Sequence, residues 1–195
     1  MTNSDSNQTP RQHGPWQIVR RNRVYQDPWL AVEQDDVIRP DGNPGSYVVA
    51  HLKPGVSVIA LDSEGRVYLT NEFHYGVGRN TIESASGGID EGETPLQAAR
   101  RELREELGII ADSWTDLGTT DPFTANVVSP TTLFLARELT FVEPEQEGTE
   151  LIEPVIVDFE EAVQKALSGE ISHAPSALAI LKSQAVLDGR FGDES

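Results

Sequence analysis

Apolar and polar positions follow one another along the chain with a changing period, and each period predicts a structural element. Residues 55–61 are almost continuously apolar, which is typical of a strand buried on both faces of a sheet. A turn signal at residues 62–65 (DSEG) leads into residues 66–70, which we interpret as the hairpin partner of that strand. Similar patterns predict further strands at residues 16–19, 29–32, 46–52, 114–119, 131–136 and 151–157.

Three stretches are predicted to be helices, from the period of their apolar residues or from helix start and stop signals. The best defined stretch, residues 95–107, starts with a proline after Thr94 and stops at Gly108, which are typical helix start and stop signals. Two more helices are predicted near the end of the chain, at about residues 158–169 and 175–188. This order of elements predicts an α/β (α+β) protein, in which a β-rich entry precedes a mixed sheet with helices on both sides.

The pattern also predicts how the chain is divided. Residues 1–13 are polar and are expected to form a disordered leader, because they contain no apolar stretch that could serve as a secretion signal. Residues 14–53 form a β-rich segment, and residues 54–195 form the main domain. No apolar run is long enough to cross a bilayer, so we expect a cytoplasmic protein with no membrane partner.

Composition narrows the chemistry. The 195 residues include no cysteine, which excludes disulfides, thiolate catalysis and cysteine-bound zinc. Lys and Arg number 15 against 32 Asp and Glu, for a formal net charge of −17, which argues against nucleic acid as a partner. The same charge would repel an anionic substrate unless a metal ion or a local cationic patch reversed the sign of the field at the site.

One helix carries an unusual arrangement of acids. Its core-facing stripe is apolar and comprises Leu96, Ala99, Leu103 and Leu107. A separate narrow stripe, at spacing i, i+3 and i+4, consists of Glu102, Glu105 and Glu106. Such neighbours repel one another by roughly 0.2–0.5 kcal/mol per pair. Any one of these residues is more often a solvated glutamate paired with an arginine, but helix stability does not require all three together.

A glycine-rich turn precedes this helix. Gly87, Gly88 and Gly92 permit close approach of the backbone to a ligand. Magnesium prefers oxygen ligands and is commonly held by one or two carboxylates together with substrate phosphates. Carboxylates beside a flexible turn therefore suit a metal site that is bridged by phosphate.

Residues 87–109 resemble the signature of a known family. Gly87, Glu93, the run from Arg101 to Glu106 (RELREE) and the pair at 108–109 agree with the Nudix box at its defined positions. The resemblance implies a Nudix α/β/α sandwich with a mixed central sheet, a small N-terminal antiparallel β appendage, and a hydrolase activity that depends on Mg²⁺ or Mn²⁺.

The resemblance also implies roles for particular residues. In Nudix enzymes the glutamates of the box bind the metal, so Glu102 and Glu106 are expected to be direct ligands. Glu105 would be a further or water-mediated ligand, and the backbone carbonyl of Ser86 would join them. Glu93 and Arg101 would form the pair that fixes the loop against the helix, which completes the expected catalytic set.

The flanking sequence is similar to ADP-ribose and nucleotide-sugar pyrophosphatases, notably at residues 71–75 and 81–90. In those relatives the β-rich entry exchanges strands between two subunits, which implies that residues 14–53 are a dimerisation segment and that the protein is a homodimer. The expected substrate contacts are His74, Glu83, Trp29, Gly87 and Gly88. Trp29 is the best candidate of the three tryptophans to stack on a base, whereas His173 is expected to be an exposed neighbour of a helix cap.

Three positions depart from this subgroup. The relatives usually carry arginine where His74 stands and proline where Ala85 stands. They also tend to place a glutamate that acts as general base in the loop that here spans residues 122–132, and this loop contains no acid. The general base is therefore open among Glu83, Glu105, an acid in residues 143–153, and an unassisted metal-bound hydroxide. His74 either contacts a phosphate, acts as a base or is structural.

Three functions remain at this point. The first is hydrolysis of ADP-ribose or a related nucleoside diphosphate sugar to a nucleoside monophosphate and a sugar phosphate. The second keeps this mechanism for another small-molecule nucleoside diphosphate derivative, such as a dinucleotide, a coenzyme or a nucleoside triphosphate. The third is a catalytically inactive ligand-sensing module, against which the complete set of box acids argues.

Overall fold

The structure is a computed structural model that describes residues 10–146 and 151–190. The described residues form two compact units, one of residues 10–53 with 123–129 and the other of residues 54–122, 130–146 and 151–190. In chain order the elements are β1 (Arg11–His13), β2 (Trp16–Gln26), β3 (Leu30–Ile38), β4 (Pro44–Leu52), β5 (Gly55–Leu61), β6 (Arg66–His74), β7 (Arg79–Glu83), β8 (Ala85–Gly88), α1 (Pro95–Leu107), β9 (Ile109–Thr120), β10 (Val127–Val128), β11 (Thr131–Phe141), β12 (Glu153–Asp158), α2 (Phe159–Ser168) and α3 (Ala174–Leu187).

The first unit is a five-stranded sheet in the order β1-β2-β3-β4-β10. Its first four strands are antiparallel, and β10 adds to β4 in parallel. The turn that joins β3 to β4 contains Gly42, which has a φ of 82°. The prediction of a disordered leader is wrong for Arg11–His13, because these residues pair with the start of β2. Residues 1–9 lie outside the described part of the chain.

One face of this sheet buries charged side chains. Glu33 and Asp35 on β3 are only 6% and 5% exposed. Arg21 contacts both carboxylates, at 3.1 Å from Glu33 Oε2 and 3.0 Å from Asp35 Oδ2, and Arg23 lies 3.0 Å from Glu33 Oε1. His51 Nε2 lies 3.2 Å from Glu33 Oε2. These buried acids are thus matched by bases of neighbouring strands.

The second unit is built on a seven-stranded mixed sheet. Its main order is β12-β6-β5-β11-β9, while β7 extends the hairpin of β6 and β8 pairs with β5. Strand β5 pairs antiparallel with β6 and parallel with β11. Six of its seven residues are buried, which confirms the central strand that its apolar run predicts.

Alternate residues of β5 point into two separate cores. Val56, Val58 and Ala60 pack with residues of α1 such as Ala99 and Leu103. Ile59 and Leu61 pack on the opposite face with residues of α2 and α3, among them Val163 and Ile180. Each fully buried aliphatic side chain of this kind contributes about 1.5–3 kcal/mol relative to exposure. The mixed sheet therefore lies between helices on both sides, as predicted.

Helix α1 begins and ends at the predicted residues. The Thr94 hydroxyl accepts from the Gln97 N–H, and the Gln97 side chain accepts from the Thr94 N–H, which completes a capping box. Gly108 ends the helix in the left-handed conformation with a φ of 62°. These caps set the residues at which the helix begins and ends. The helical period then places Glu102 and Glu106 on the same side of the helix.

Other boundaries differ slightly from the prediction. Strand β9 begins at Ile109, directly after α1, and β12 begins at Glu153. Asp158 occupies the N-cap position of α2, but its side chain makes no capping hydrogen bond. No helix in the described ranges combines the length and the apolar character that crossing a membrane would require.

Candidate active site

Helix α1 and strand β8 bring the predicted acids against the glycine-rich turn. Both carboxylate oxygens of Glu106 lie 3.4 Å from the backbone N–H of Ser86, which donates toward them. The carboxylate of Glu102 lies directly over Gly87. Two glutamates one helical turn apart thus converge on consecutive residues of β8.

Gly87 is required here by space. A Cβ at this position would overlap the carboxylate of Glu102. Glycine therefore permits the carboxylate and the backbone of β8 to come together, as close approach to a polar group demands. The neighbouring Ser86 and Gly88 belong to the same strand, which pairs with β5 through Gly55↔Gly88 and Ser57↔Ser86.

Arg101 links the acids of this region. Its Nη1 donates to Glu102 Oε1 at 2.7 Å and to Glu105 Oε2 at 3.1 Å. Its Nε and Nη2 donate to the two oxygens of Glu93 at 2.9 and 3.0 Å. The hydrogen bond with Glu93 and the contacts with the other two carboxylates raise the pKa of Arg101, so the guanidinium stays charged.

The same arginine holds the loop before the helix. Arg101 Nη2 donates to the carbonyl of Gly88 at 2.9 Å, and the backbone N–H of Asp90 donates to Glu93 Oε2 at 3.0 Å. The loop between β8 and α1 is therefore tied to the helix at both of its ends. This geometry agrees with the Glu93–Arg101 pair that the box resemblance implies.

The donor atoms suit a hard divalent cation. Carboxylate oxygens of Glu102 and Glu106 and the backbone of Ser86 lie at one edge of α1, and oxygen ligands of this type are what Mg²⁺ and Mn²⁺ prefer. Within residues 10–146 and 151–190, no three His, Asp or Glu side chains are already arranged as a metal cluster. Arg101 contacts Glu102 and Glu105, so their carboxylates are held close to this edge, and the chemistry of the oxygen atoms fits a hard cation.

A second group of predicted residues meets on the β6–β7 hairpin. His74 Nε2 lies 3.1 Å from Glu83 Oε1, and the Thr81 hydroxyl donates to the same oxygen at 2.6 Å. Burial raises the pKa of the Glu83 carboxyl, but the hydrogen bond from His173 and the neighbouring imidazoles outweigh it and leave the pKa below its ordinary value. His74 and Glu83 therefore form a pair, with Glu83 ionised.

His173 was missed as a member of this group, and its predicted role as an exposed neighbour of a cap is wrong. Its Nδ1 lies 3.0 Å from Glu83 Oε2 and 2.8 Å from the hydroxyl of Ser176. The residue occupies the N-cap position of α3, but its side chain makes no capping hydrogen bond. Ninety residues separate it from Glu83, so no local pattern could have shown the contact.

The three tryptophans differ in exposure. Trp114 packs edge-on against Phe134 and Trp16 against Tyr47, with ring centroids 6.0 and 5.4 Å apart. Trp29 lies just before β3 in the first unit; it is 70% exposed, and Lys53 Nζ lies 5.4 Å from its ring centroid. The exposed ring remains available to stack on a base, and its part in substrate binding stays a prediction.

The loop without an acid has an unexpected location. Its residues 123–129 belong to the first compact unit, where β10 pairs in parallel with Ala50 and His51 of β4. The Tyr47 hydroxyl donates to the carbonyl of Ala125 at 2.5 Å. This segment thus completes a sheet in the first unit.

Comparison with known proteins identifies the family. Residues 51–178 match the NUDIX domain, and residues 16–49 match the nucleoside diphosphate sugar hydrolase N-terminal domain. Because the first match covers more than half of the chain, the chain belongs to the Nudix family. The predicted resemblance is confirmed.

Individual relatives agree with this assignment. The ADP-ribose pyrophosphatase of Bacillus subtilis (strain 168) is 28% identical over 167 residues, which cover 83% of this chain and 89% of the relative. The ADP-ribose pyrophosphatase of Mycobacterium tuberculosis (strain ATCC 25618 / H37Rv) is 29% identical over 167 residues, or 82% and 79% of the two chains. The crystal structure of an ADP compounds hydrolase, 23% identical, has the same fold with a TM-score of 0.73 over 96% of this chain and 100% of that chain. The chain is a Nudix hydrolase with the predicted fold.

Proposed function

We propose that this Nudix hydrolase uses Mg²⁺ or Mn²⁺ to cleave the diphosphate of ADP-ribose or a related nucleoside diphosphate sugar. The observation that supports the proposal most is the convergence of Glu102 and Glu106 on Ser86 and Gly87, where glycine leaves room for a carboxylate against the backbone. The names of the relatives and the match of residues 16–49 support a nucleoside diphosphate sugar as substrate.

Glu102, Glu106 and the carbonyl of Ser86 would hold the cation, with Glu105 as a further ligand. When bound, the ion supplies Lewis-acid stabilisation of charge on phosphate oxygens, which is worth several kcal/mol in the transition state. Arg101 and Glu93 keep the glycine-rich loop against α1, so that the backbone of Gly87 and Gly88 stays next to the diphosphate.

In the reaction a water oxygen forms a bond with one phosphorus of the diphosphate. The bond between that phosphorus and the bridging oxygen breaks, and the bridging oxygen leaves with the other phosphate. The products are a nucleoside monophosphate and a sugar phosphate, and the proton of the water passes to a base of the protein or to solvent. Glu83 is a poor candidate for that base, because three side chains already contact its carboxylate and its pKa is lowered.

We also propose that the protein acts as a homodimer through residues 14–53. The match of residues 16–49 to the N-terminal domain of nucleoside diphosphate sugar hydrolases supports this proposal. Light scattering on the purified chain should give about twice the monomer mass of 21.4 kDa, and a monomer would contradict it.

A substrate panel tests the proposed reaction. Purified protein is incubated with ADP-ribose, an ADP-hexose, a dinucleotide and a nucleoside triphosphate, first with Mg²⁺ and then with EDTA. We expect AMP and ribose 5-phosphate from ADP-ribose with Mg²⁺, and no product with EDTA. Preference for the dinucleotide or the triphosphate would support the second function, whereas ligand binding without any product would support a sensor.

A further inference from the structure

Glu83 is held from three directions on the surface of the second unit. His74 of β6 lies on one side, the Thr81 hydroxyl of β7 contacts the same oxygen, and His173 reaches the other carboxylate oxygen. The side chain of Glu83 is only 13% exposed. A carboxylate held by three partners has a fixed orientation and can in turn orient a partner that moves more freely.

His74 is that partner. Its side chain is 39% exposed, and Nε2 is the nitrogen that faces Glu83. An ionised carboxylate only accepts hydrogen bonds, so Glu83 favours the ring orientation in which a protonated Nε2 faces it.

His173 is itself held by buried serines. Its Nδ1 lies 2.8 Å from the hydroxyl of Ser176, which accepts from the backbone N–H of Ser84 at 2.9 Å. Ser176 and Ser84 are 0% and 1% exposed, and their hydroxyls lie 3.0 Å apart. The start of α3 therefore contacts both the side chain of Glu83 and the backbone of the next residue.

Hydrogen bonds also connect Ser84 with the candidate metal site through Ser86. The hydroxyl of Ser86 donates to the carbonyl of Ser84 at 2.7 Å, and the N–H of Ser86 faces Glu106. Arg79 of β7 also ties the loop before α3 to the hairpin, because its Nη2 donates to the hydroxyl of Ser172 at 2.8 Å. The N-terminus of α3 thus contacts the chain at Ser84, between β7, which carries Glu83, and β8, which faces Glu106.

We propose that His173 is a positioning residue for the hydrolysis, which acts by holding Glu83 so that Glu83 orients His74. The inference rests on the proposed function, in which His74 is one of the predicted substrate contacts, and it assigns to the start of α3 a part in positioning that contact. Loss of His173 should leave Glu83 with His74 and Thr81 alone and allow the carboxylate to turn. A displacement of this kind lowers turnover by about 10- to 100-fold.

A double-mutant cycle tests how His173 acts. We expect H173A to lower kcat/KM for ADP-ribose by about 10- to 100-fold, whereas H173N, whose amide can occupy the position of Nδ1, stays within about threefold of the native enzyme. In the E83Q background H173A should have little further effect, because residues that act through one group are not additive. An undiminished loss in the E83Q background, or no loss in H173A alone, would overturn the proposal.

A second measurement does not depend on turnover. The chain has four histidines, so their ring signals can be followed individually by NMR without substrate. The His74 signals should shift in H173A, return in H173N, and stay unchanged in the control H13A, which alters an exposed histidine of the first unit. Unchanged His74 signals in H173A would overturn the contact through Glu83, whereas a native enzyme that cleaves no nucleotide would overturn the proposed function alone.

Discussion

The sheet of the first unit and the edge of α1 both bring carboxylates close together, and they differ in how the negative charge is neutralised. In the sheet, Glu33 and Asp35 are buried beside Arg21, Arg23 and His51. Two acids thus face two arginines and a histidine, and each acid contacts at least one arginine. This is the arrangement of a structural ion-pair cluster.

At the edge of α1 several acids share contacts with one arginine. The Arg101 guanidinium contacts Glu93, Glu102 and Glu105. Glu106 lies one helical turn beyond Glu102. One positive charge cannot neutralise three carboxylates, and the formal charge of the whole chain is −17. The proposed cation site therefore lies where several carboxylates share one arginine at a glycine turn, whereas the two acids of the first sheet each contact an arginine of their own strand pair.

The largest effect should follow from removing an acid of the surplus set. We expect E106Q to lower kcat by about 10²- to 10⁴-fold, because a metal ion contributes several kcal/mol to the transition state and each 1.36 kcal/mol changes the rate tenfold. Thermal unfolding should stay close to that of the native protein. Calorimetric titration with Mg²⁺ should show weakened binding, and E160Q, at an exposed position of α2, is the control. Native rates in E106Q would remove this residue from the metal site.

The next effect concerns space at the glycine turn. The Cβ introduced by G87A would overlap the Glu102 carboxylate, so the acid or strand β8 must move. We expect a loss of about 1–3 kcal/mol in the free energy of unfolding, which is usual for overpacking, and a kcat lowered at least tenfold. G76A is the matched control, because its Cβ would meet nothing within 4 Å. Equal behaviour of the two variants would contradict the close packing of Glu102 on Gly87.

A smaller effect, on stability and not on metal binding, should follow in the balanced cluster. E33Q leaves Arg21 and Arg23 without their shared carboxylate, which should cost about 1–3 kcal/mol in the free energy of unfolding. Mg²⁺ affinity should not change. D36N breaks an exposed pair with Arg20 and should cost at most about 1 kcal/mol in chemical denaturation. A loss of Mg²⁺ binding in E33Q would contradict a purely structural role for the cluster around Glu33.

The stabilisation lost in E33Q should depend on pH. Burial raises the pKa of Glu33, but the hydrogen bond from Arg23 and the charges of Arg21 and His51 bring it below its ordinary value of 4.5. A lowered folded-state pKa contributes stability that is complete above the unfolded value and is lost as the pH falls through the folded value. The difference in unfolding free energy between native protein and E33Q should therefore shrink below about pH 4.5. A constant difference down to pH 3 would show that Glu33 does not titrate in this way.

Local patterns predicted the elements that carry the box. The ends of α1 follow from Thr94, Gln97 and Gly108, because capping involves residues that are close in sequence. The apolar run of β5 predicted a central strand, because a strand that is buried on both faces is apolar at successive positions. The side of α1 that carries Glu102 and Glu106 follows from the same helical spacing.

The sequence by itself thus determined the family, the main elements and the acids along one helix, since these depend on residues at most a few turns apart. Only the tertiary structure decided that residues 123–129 complete the first unit and that His173 contacts Glu83. Such contacts join residues tens of positions apart, and they are fixed by strand pairing and core packing across the fold, which no short stretch of sequence encodes.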